Sequence, residues 1–449
     1  MTAIAGIQSG GGETEVKVKE MLASMSHRGN EWRRIVETDG TIIGASGTKV
    51  QSRSAEKIQR EKIALEFVSR NHYASARMTK SGLEITRDAL GISPLYYGRN
   101  DEGKLCFASE VKGLLSVTRD IHELPPGHSL TGNRLICNYS IGRNGHRKGT
   151  AEQFAGELRS KLEASIANRV ANGYAGSWLS GGIDSTALAA IARPYIKEFH
   201  TFTAGLEDSR DVHYARVAAR HIGSIHHTRT VTKDEILQTI PQVIYHLESF
   251  DALLIRSSIL NFLVAKLASD FVPAVFSGEG GDELFAGYDY LKNIPEEKLE
   301  DELVDIIARL HNTALQRVDR SASAHGTVAY VGLLDQDIVE LALEIPARYK
   351  IKDGVEKWIL RKAVADLLPE ELLMRKKAKF WQGGGVTEII AEHADQTLTD
   401  HDFAAERRLL NGETLNTKEE LFYYRIFKEY FGDFRDLSWM GRTKGAPIS

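Results

Sequence analysis

The first 140 residues carry short apolar stretches that alternate with polar turn residues. These stretches are six to eight residues long and are bounded by Gly, Asn, Asp or Ser, a pattern typical of β-strands. We predict strands in residues 2–7, 41–46, 71–78, 82–88 and 104–110. A helical period appears only in residues 13–25 and 54–67, which we predict to be helices. This part of the chain should therefore form a mostly β domain that carries a few helices.

The pattern changes after residues 141–150, a polar and glycine-rich segment that we interpret as a linker. From there to residue 278, amphipathic helical stretches alternate with apolar strands, which indicates an open α/β domain with a parallel sheet. From Lys292 onward the pattern is almost wholly helical. We therefore expect two domains, residues 1–145 and 151–449.

Composition and charge narrow the class of protein. Of the 449 residues, 42% are hydrophobic and 26% are charged, which is typical of a globular protein. No apolar run approaches the roughly 20 residues that span a bilayer, and the N-terminus lacks the pattern of a signal peptide. The two cysteines, Cys106 and Cys137, are too few for a disulfide framework. The net charge of −4 gives no basic surface for nucleic acid. We expect a cytoplasmic protein with neither a nucleic acid nor a membrane as partner.

A glycine-rich loop lies between a predicted strand and a predicted helix, in the stretch SWLSGGIDSTALAA. In an open α/β sheet, ligands bind where strand ends meet helix N-termini. Gly181 and Gly182 would let the backbone approach an anion, and Ser180 and Ser185 add hydroxyl donors. The loop has no lysine of the Walker type. Because a carboxylate repels phosphate unless a divalent cation lies between them, Asp184 is a natural Mg²⁺ ligand.

A second loop of the same kind follows another predicted strand, in the stretch VFSGEGGDELFAGYDYL. It offers the small residues Ser277 and Gly278 and the acids Glu279, Asp282 and Glu283. Two strand-end loops, each with small residues and an acid, would hold one metal–triphosphate from both sides.

These two motifs resemble those of a known family. SGGIDS is similar to the pyrophosphate-binding loop of the ATP pyrophosphatase (PP-loop) superfamily, and SGEGGDELFAGY is similar to the second signature of its asparagine synthetase branch. Further similar stretches follow in order: VIYHLESFDALLIRSS, KWILRKAVADLLPEELLMRKKAKF and TKEELFYYRIFKEYF. The resemblance implies that residues 151–449 form a PP-loop domain with a parallel sheet and added helices.

The resemblance also implies an ATP-dependent amide-forming ligase that uses Mg²⁺. In this family a substrate carboxylate attacks the α-phosphorus of ATP, pyrophosphate leaves, and a nitrogen nucleophile then displaces AMP from the acyl-adenylate. The implied partners are a small carboxylic acid and ammonia or an amine. A homodimer is a further expectation.

Roles follow from the resemblance residue by residue. Asp184 and Asp282 would be the Mg²⁺ ligands. Glu279 would accept a proton from the attacking amine, and Lys377 would neutralise charge on the α-phosphate in the transition state. Arg256 would help to hold the acid substrate. The ATP and pyrophosphate contacts would come from eight residues: Leu179, Ser180, Gly181, Gly182, Asp184, Ser185, Ser277 and Gly278.

The N-terminal domain resembles the glutaminase half of the same family, an Ntn-hydrolase-like domain, in RDALGISPLYYGRNDEGKLCFASEVKGLL and ELPPGH. The family begins Met-Cys-Gly-Ile, with cysteine as the nucleophile, whereas this chain begins Met1-Thr2-Ala3-Ile4. The family's glutamine-binding segments are also not found, so we interpret the domain as truncated and degenerate. Thr2 could act as an N-terminal nucleophile, but we expect it to be inert and glutamine not to be a nitrogen donor.

Two further departures concern the predicted acid-binding pocket. Leu253 and Leu254 replace two threonines of the family, and YVGLLD, starting at Tyr330, replaces RVPFLD. Because these changes remove polar contacts, they disfavour a small zwitterion such as aspartate and favour a larger or more apolar acid.

Several alternatives stay open. β-Lactam and carbapenam synthetases close a ring within one substrate and also carry an inactive glutaminase domain, but they have a tyrosine where this chain has Glu279. Lasso-peptide cyclases are further relatives, but no feature of this sequence favours that function. RNA-modifying PP-loop enzymes would need a basic surface and often catalytic cysteines. A non-catalytic descendant would be free to lose the implied functional residues, yet four of them are intact: Asp184, Asp282, Glu279 and Lys377.

Overall fold

The computed structural model describes residues 2–49, 52–69, 71–143, 145–170, 173–375 and 385–443. The strands are β1 (Thr2–Ile7), β2 (Trp32–Thr38), β3 (Thr41–Gly47), β4 (Ile63–Ser69), β5 (His72–Thr79), β6 (Gly82–Arg87), β7 (Tyr96–Arg99), β8 (Leu105–Ala108), β9 (His122–Glu123), β10 (His128–Thr131), β11 (Arg134–Cys137), β12 (Gly176–Trp178), β13 (His200–Gly205), β14 (Ile225–Thr230), β15 (Ala274–Phe276) and β16 (Val328–Tyr330). The α-helices are α1 (Gly12–Ser24), α2 (Ser52–Glu61), α3 (Ala151–Ala167), α4 (Ile183–Ala192), α5 (Arg210–Ile222), α6 (Lys233–Leu247), α7 (Ala252–Ser269), α8 (Gly281–Leu284), α9 (Glu296–Ala308), α10 (Ala314–Ser323), α11 (Gln336–Glu344), α12 (Ala347–Lys350), α13 (Trp358–Ala363), α14 (Glu370–Leu373), α15 (Val386–Thr397), α16 (Asp400–Glu406) and α17 (Lys418–Phe431).

Two antiparallel sheets make up the N-terminal part of the chain. One has the strand order β2-β3-β1-β8-β7-β9 and the other the order β11-β10-β6-β5-β4. Side chains from both sheets, including Ile4, Ile43, Leu83, Ile85 and Phe107, form one fully buried apolar cluster. Removing this apolar surface from water is the main favourable contribution to folding here.

One predicted helix is wrong in its second half. The helical period suggested a helix over residues 54–67, but α2 ends at Glu61 and strand β4 follows it. Lys62, between the two elements, has a φ of 52°, in the left-handed region that ends a helix. Strand β4 then pairs antiparallel with β5. A short apolar run is compatible with a helix or with a strand. Here it forms a strand, because β4 can pair with β5 within the sheet.

The C-terminal part contains a parallel sheet with the strand order β14-β13-β12-β15-β16. The strand order reverses at β12, because its two neighbours are β13 on one side and β15 on the other. The connections that leave β12 and β15 therefore face one crevice at the carboxyl edge of the sheet. Strand β16, only three residues long, lies in the region that the pattern predicts to be almost wholly helical. The predicted fold class, a β-rich N-terminal part with a parallel-sheet part after it, is confirmed. The domain limits at residues 145 and 151 stay a prediction.

Helix α7 is the core helix of the C-terminal part. Among the described residues, it alone is long and apolar enough to cross a membrane by length and composition, and 67% of it is buried inside the protein. It packs against α6, α10 and β13. A helix that is apolar all round is expected in the core of a large domain, which accounts for its composition.

A buried network of ion pairs joins the N-terminal and C-terminal parts. The fully buried Arg28 contacts Glu110 at 2.8 Å and Asp319 of α10 at 2.8 Å, and it also contacts Glu66. Arg320 of α10 contacts Glu110 at 2.8 Å. Because a buried charge is costly unless it is paired, these contacts tie α10 to the N-terminal sheets.

Candidate active site

The two glycine-rich loops lie side by side at the carboxyl edge of the parallel sheet. The first connects β12 to α4 and the second connects β15 to α8. The backbone N–H of Leu179 donates to the carbonyl oxygen of Phe202 at 2.8 Å, and that of Ser277 donates to the carbonyl oxygen of Tyr330 at 2.9 Å. Each loop therefore leaves the sheet from a hydrogen-bonded position beside a neighbouring strand.

The first loop is closed by its own hydroxyl groups. The hydroxyls of Ser180 and Ser185 lie 3.1 Å apart, and the Ser185 hydroxyl also donates to the carbonyl oxygen of Gly182 at 3.2 Å. Among the described residues, no side chain caps the N-terminus of α4, which begins directly after Gly182. The first N–H groups of the helix are therefore available to an anion, and the helix dipole favours its binding.

Two glycines of the second loop allow it to touch the first. A Cβ atom on Gly278 would lie 2.6 Å from the backbone nitrogen of Ser185, and one on Gly281 would lie 2.2 Å from Oδ1 of Asp184. Any side chain at either position would separate the loops. The glycines of this motif therefore bring the two loops together, in addition to leaving room for a ligand.

Asp184 and Asp282 converge on one cation, the ammonium group of Lys357. Lys357 Nζ lies 2.8 Å from Oδ1 of Asp282 and also contacts Oδ2 of Asp184. Burial lowers the pKa of Lys357, but the two carboxylates raise it above its ordinary value. Asp184 and Asp282 keep 15% and 22% of their side chains exposed, so both can still reach a ligand. Two carboxylates that share one cation form a donor set suited to Mg²⁺.

Glu279 pairs with an arginine of α10. Nη2 of Arg317 donates to Oε1 of Glu279 at 2.6 Å. Burial lowers the pKa of the Arg317 guanidinium, but Glu279 raises it above its ordinary value. Glu283, two positions after Gly281, is buried and accepts a hydrogen bond from the hydroxyl of Tyr288. Glu279 thus faces α10, whereas Glu283 is bound within its own loop region.

The segment that carries the predicted lysine Lys377 lies outside the described residues, but Arg375 just before it is described. Nη1 of Arg375 donates to the carbonyl oxygen of Ser180 at 2.7 Å, and its guanidinium contacts Asp211. The chain therefore reaches the first loop two residues before Lys377. Burial raises the pKa of Asp211, although Arg375 opposes this change.

Arg256, which was predicted to bind the acid substrate, forms an ion pair with a carboxylate of α17. Its Nε donates to Oε1 of Glu419 at 2.7 Å, and its Nη2 contacts the other carboxylate oxygen. Tyr423 donates to the same carboxylate at 2.8 Å. The structure therefore brings together Asp184, Asp282 and the two loops, and pairs Arg256 with α17.

Thr2 is buried in strand β1. Only 1% of its surface is exposed, and within the described residues its Oγ1 has no hydrogen-bond partner. Its carbonyl oxygen accepts a hydrogen bond from Nε of Arg28 at 3.1 Å. The Thr2 hydroxyl is thus buried without a described hydrogen-bond partner.

Sequence reasoning missed two residues of the site, Lys357 and Arg317. Lys357 begins a stretch that was recognised as similar to the family, but nothing in the local pattern distinguishes it from other lysines. Its φ of 55° turns the chain at the start of α13 and accompanies its inward position. Arg317 lies on a helix whose contacts depend on the tertiary fold, so only the structure reveals its partner.

Comparison with known proteins matches a different family model to each part of the chain. A family model described as asparagine synthase matches residues 157–306 and 295–443, and one described as a glutamine amidotransferase domain matches residues 74–128. A glutamine-hydrolysing asparagine synthetase of Triphysaria versicolor is 33% identical over 379 residues and covers 77% of this chain. Asparagine synthetase B of Escherichia coli (strain K12) is 33% identical over 376 residues, with 78% of this chain and 68% of the relative covered.

The match spans only 63% of the length of the Triphysaria versicolor relative. Solved structures that are similar include an NMN synthetase from Francisella tularensis, at 14% identity and a TM-score of 0.26, covering 65% of this chain and 98% of that one. A glutamine-dependent NAD⁺ synthetase from Acinetobacter baumannii, at 15% identity and a TM-score of 0.27, covers 78% of this chain and 59% of that one. The family model alone spans well over half of the chain, and this chain belongs to the asparagine synthase family.

Proposed function

We propose that the chain is an ATP- and Mg²⁺-dependent ligase that converts a carboxylic acid into an acyl-adenylate and then into an amide. The observation that carries this proposal is the convergence of Asp184 and Asp282 on one cation between two anion-binding loops. When bound, Mg²⁺ would neutralise the phosphates as pyrophosphate departs. Asp184 and Asp282 would hold it, because carboxylate oxygens are the ligands it prefers.

The loops would bind the nucleotide. The free N–H groups at the start of α4 and the hydroxyls of Ser180 and Ser185 would bind the pyrophosphate part of ATP. Leu179, Ser277 and Gly278 lie at the ends of two adjacent strands and would contact adenosine or its α-phosphate. Lys377, outside the described residues, would neutralise the α-phosphate, a role supported by the position of Arg375 beside Ser180.

The second half-reaction would occur at Glu279. Its carboxylate would accept the proton that the amine loses as its nitrogen attacks the acyl carbon. We propose ammonia or a free amine as the nitrogen source. The replacement of the family's cysteine by Thr2, and the burial of Thr2 in strand β1, support an inactive glutaminase domain. Efficient glutamine hydrolysis, or transfer of ¹⁵N from amide-labelled glutamine into the product, would contradict this part.

Ring closure within one substrate, as in β-lactam synthetases, is the main alternative. The two reactions differ in what they require. An intermolecular ligase releases amide product only when an amine is added, whereas a cyclase releases AMP from its acid alone at the full rate. Glu279 and its Arg317 partner favour proton abstraction from an external amine, since those synthetases carry a tyrosine at this position.

The deciding experiment measures pyrophosphate release against a panel of carboxylic acids, with and without ammonium chloride. Acid-dependent release without amine would establish adenylation, and AMP rather than ADP should accumulate. Release of ADP would refute the proposal. The panel should extend beyond aspartate, because Leu253 and Leu254 stand where the family has hydroxyl groups. We further propose action in the cytoplasm on small molecules rather than nucleic acid or membranes, and light scattering would test for a homodimer.

A further inference from the structure

Arg317 lies between the active-site loop and the ion network that joins the two parts of the chain. Its Nη2 donates to Oε1 of Glu279 at 2.6 Å, and the two side chains are only 17% and 18% exposed. Within the described residues, its Nε is buried without a hydrogen-bond partner. The guanidinium is therefore committed to Glu279 and is little solvated. Such a pair is stronger than a surface ion pair and can hold the carboxylate of Glu279 in one orientation.

Helix α10 is also fixed by neighbouring residues that do not contact Glu279. Asp319 contacts Arg28 at 2.8 Å, and Arg320 contacts Glu110 at 2.8 Å and Glu248 at 3.2 Å. Gln316 donates to the carbonyl oxygen of Leu247 at 2.5 Å. These buried contacts hold the helix against both sliding and rotation. The position of Arg317 is therefore set by groups that do not belong to the reaction site.

We propose that Arg317 is a positioning residue for Glu279: its guanidinium holds that carboxylate in the orientation that receives the proton of the attacking amine. The inference rests on the proposed function. In this step the amine nitrogen forms a C–N bond with the acyl carbon, and one N–H proton passes to Glu279. The bond between the acyl carbon and the AMP oxygen breaks, and AMP leaves with the electron pair.

The physical reason is the orientation of the base. A carboxylate can accept a proton only when one of its oxygens lies within hydrogen-bond reach of the attacking nitrogen. Arg317 fixes one oxygen of Glu279 through a charge-assisted hydrogen bond. Without this bond the Glu279 side chain could rotate away, so amide formation would slow while adenylation continued. Because Nη2 contacts a single oxygen, the other carboxylate oxygen is left to face the amine.

The test compares two nitrogen probes in Arg317→Met and Arg317→Lys. Both probes lose one N–H proton as they attack, but ammonium must first lose another, whereas hydroxylamine is mostly uncharged at neutral pH. Ammonium transfer should therefore depend more strongly on the base. With the best acid of the panel, Arg317→Met should keep pyrophosphate release with hydroxylamine within about threefold of wild type. Its ammonium-dependent amide formation should fall by about 10- to 100-fold. Arg317→Lys, which keeps the charge, should recover most of this loss.

A double variant separates positioning from a structural role. Adding Arg317→Met to Glu279→Gln should cause no further loss of ammonium transfer, because the base is already absent. Additive losses, or equal losses with both nitrogen probes that lysine does not rescue, would overturn the inference. Wild-type protein without acid-dependent pyrophosphate release would instead refute the proposed function. Unchanged ammonium transfer in Glu279→Gln would refute the assignment of the base.

Discussion

Asp184 and Asp282 contact the same ammonium group, that of Lys357, although they lie on loops that follow different strands. Their shared cation defines a position between the two loops that attracts positive charge from both sides. Two carboxylates and one lysine leave a net negative charge there. If Mg²⁺ binds there as proposed, it would offset this negative charge and prepare the site for phosphate, and it would compete with Lys357 for the same oxygens.

Replacing either aspartate should abolish adenylation. Asp184→Asn and Asp282→Asn each keep the shape of the side chain but remove one charge, so we expect pyrophosphate release to fall by a factor on the order of 100 or more. Asp289→Asn is the matched control, because its side chain is 78% exposed and pairs only with Lys292 in the described contacts. The measurement is acid-dependent pyrophosphate release over a range of Mg²⁺ concentrations. A wild-type rate in either variant at limiting Mg²⁺ would contradict the shared-cation site.

Removing Lys357 should make stability depend on magnesium. Lys357→Met leaves two partly buried carboxylates facing each other, at a cost of about 3 kcal/mol. We expect a thermal midpoint lower by about 5 °C in EDTA, and a larger recovery on addition of Mg²⁺ than in wild type. Lys362→Met, which breaks an exposed pair with Glu152, is the control and should change little. An equal Mg²⁺ effect in the variant and in wild type would contradict competition for the same oxygens.

The sequence predicted the parts of this site that depend on local pattern. A strand, a glycine-rich loop and a helix in succession are encoded within a few residues, so both loops and the aspartates they carry were identified. Their contact also follows from general rules, because parallel strands end at one edge of a sheet. Lys357 and Arg317 could not be found in this way. Each is a common residue on a helix or turn, and its partner is chosen by tertiary packing.

Tertiary packing also explains other differences between the sequence-based expectations and the structure. Strand β16 is only three residues long and forms because β15 is available as a neighbour. The second half of the helix predicted at residues 54–67 becomes β4, because β5 offers it a place at the edge of a sheet. Arg256 could be predicted to be functional by resemblance, but nothing local indicates that Glu419, far along the chain, occupies its guanidinium.

The pair formed by Arg256 and Glu419 should be required for stability. Arg256→Met leaves Glu419, which is 3% exposed, without its cation, and we expect a loss of about 3 kcal/mol in the free energy of unfolding. Glu419→Gln should cost less, because an amide oxygen still accepts from Arg256 and Tyr423. Urea unfolding of both variants measures the difference. If Arg256→Met is as stable as wild type while the Michaelis constant for the acid rises, Arg256 acts on substrate rather than on α17.

Glu66 should make the stability of the protein depend on pH. Burial raises the pKa of Glu66 to about 7, although Arg28 opposes the change. Between its ordinary value of 4.5 and about 7, the folded protein therefore holds a proton at Glu66 that the unfolded chain has lost. The stability contributed by this group is fully present below that range and is lost as the pH rises through it.

Glu66→Gln imitates the protonated carboxyl group at every pH, so it should remove this dependence. Relative to wild type, its free energy of unfolding should increase by about 2 kcal/mol as the pH rises from about 5 to about 8. Glu84→Gln is the control, because Glu84 pairs with the exposed Arg77 and should contribute well under about 1 kcal/mol. Urea unfolding at a series of pH values measures both variants. A difference between Glu66→Gln and wild type that is constant with pH would show that Glu66 remains charged against Arg28 in the folded protein. The ion network would then hold α10, and with it Arg317, equally firmly across this pH range.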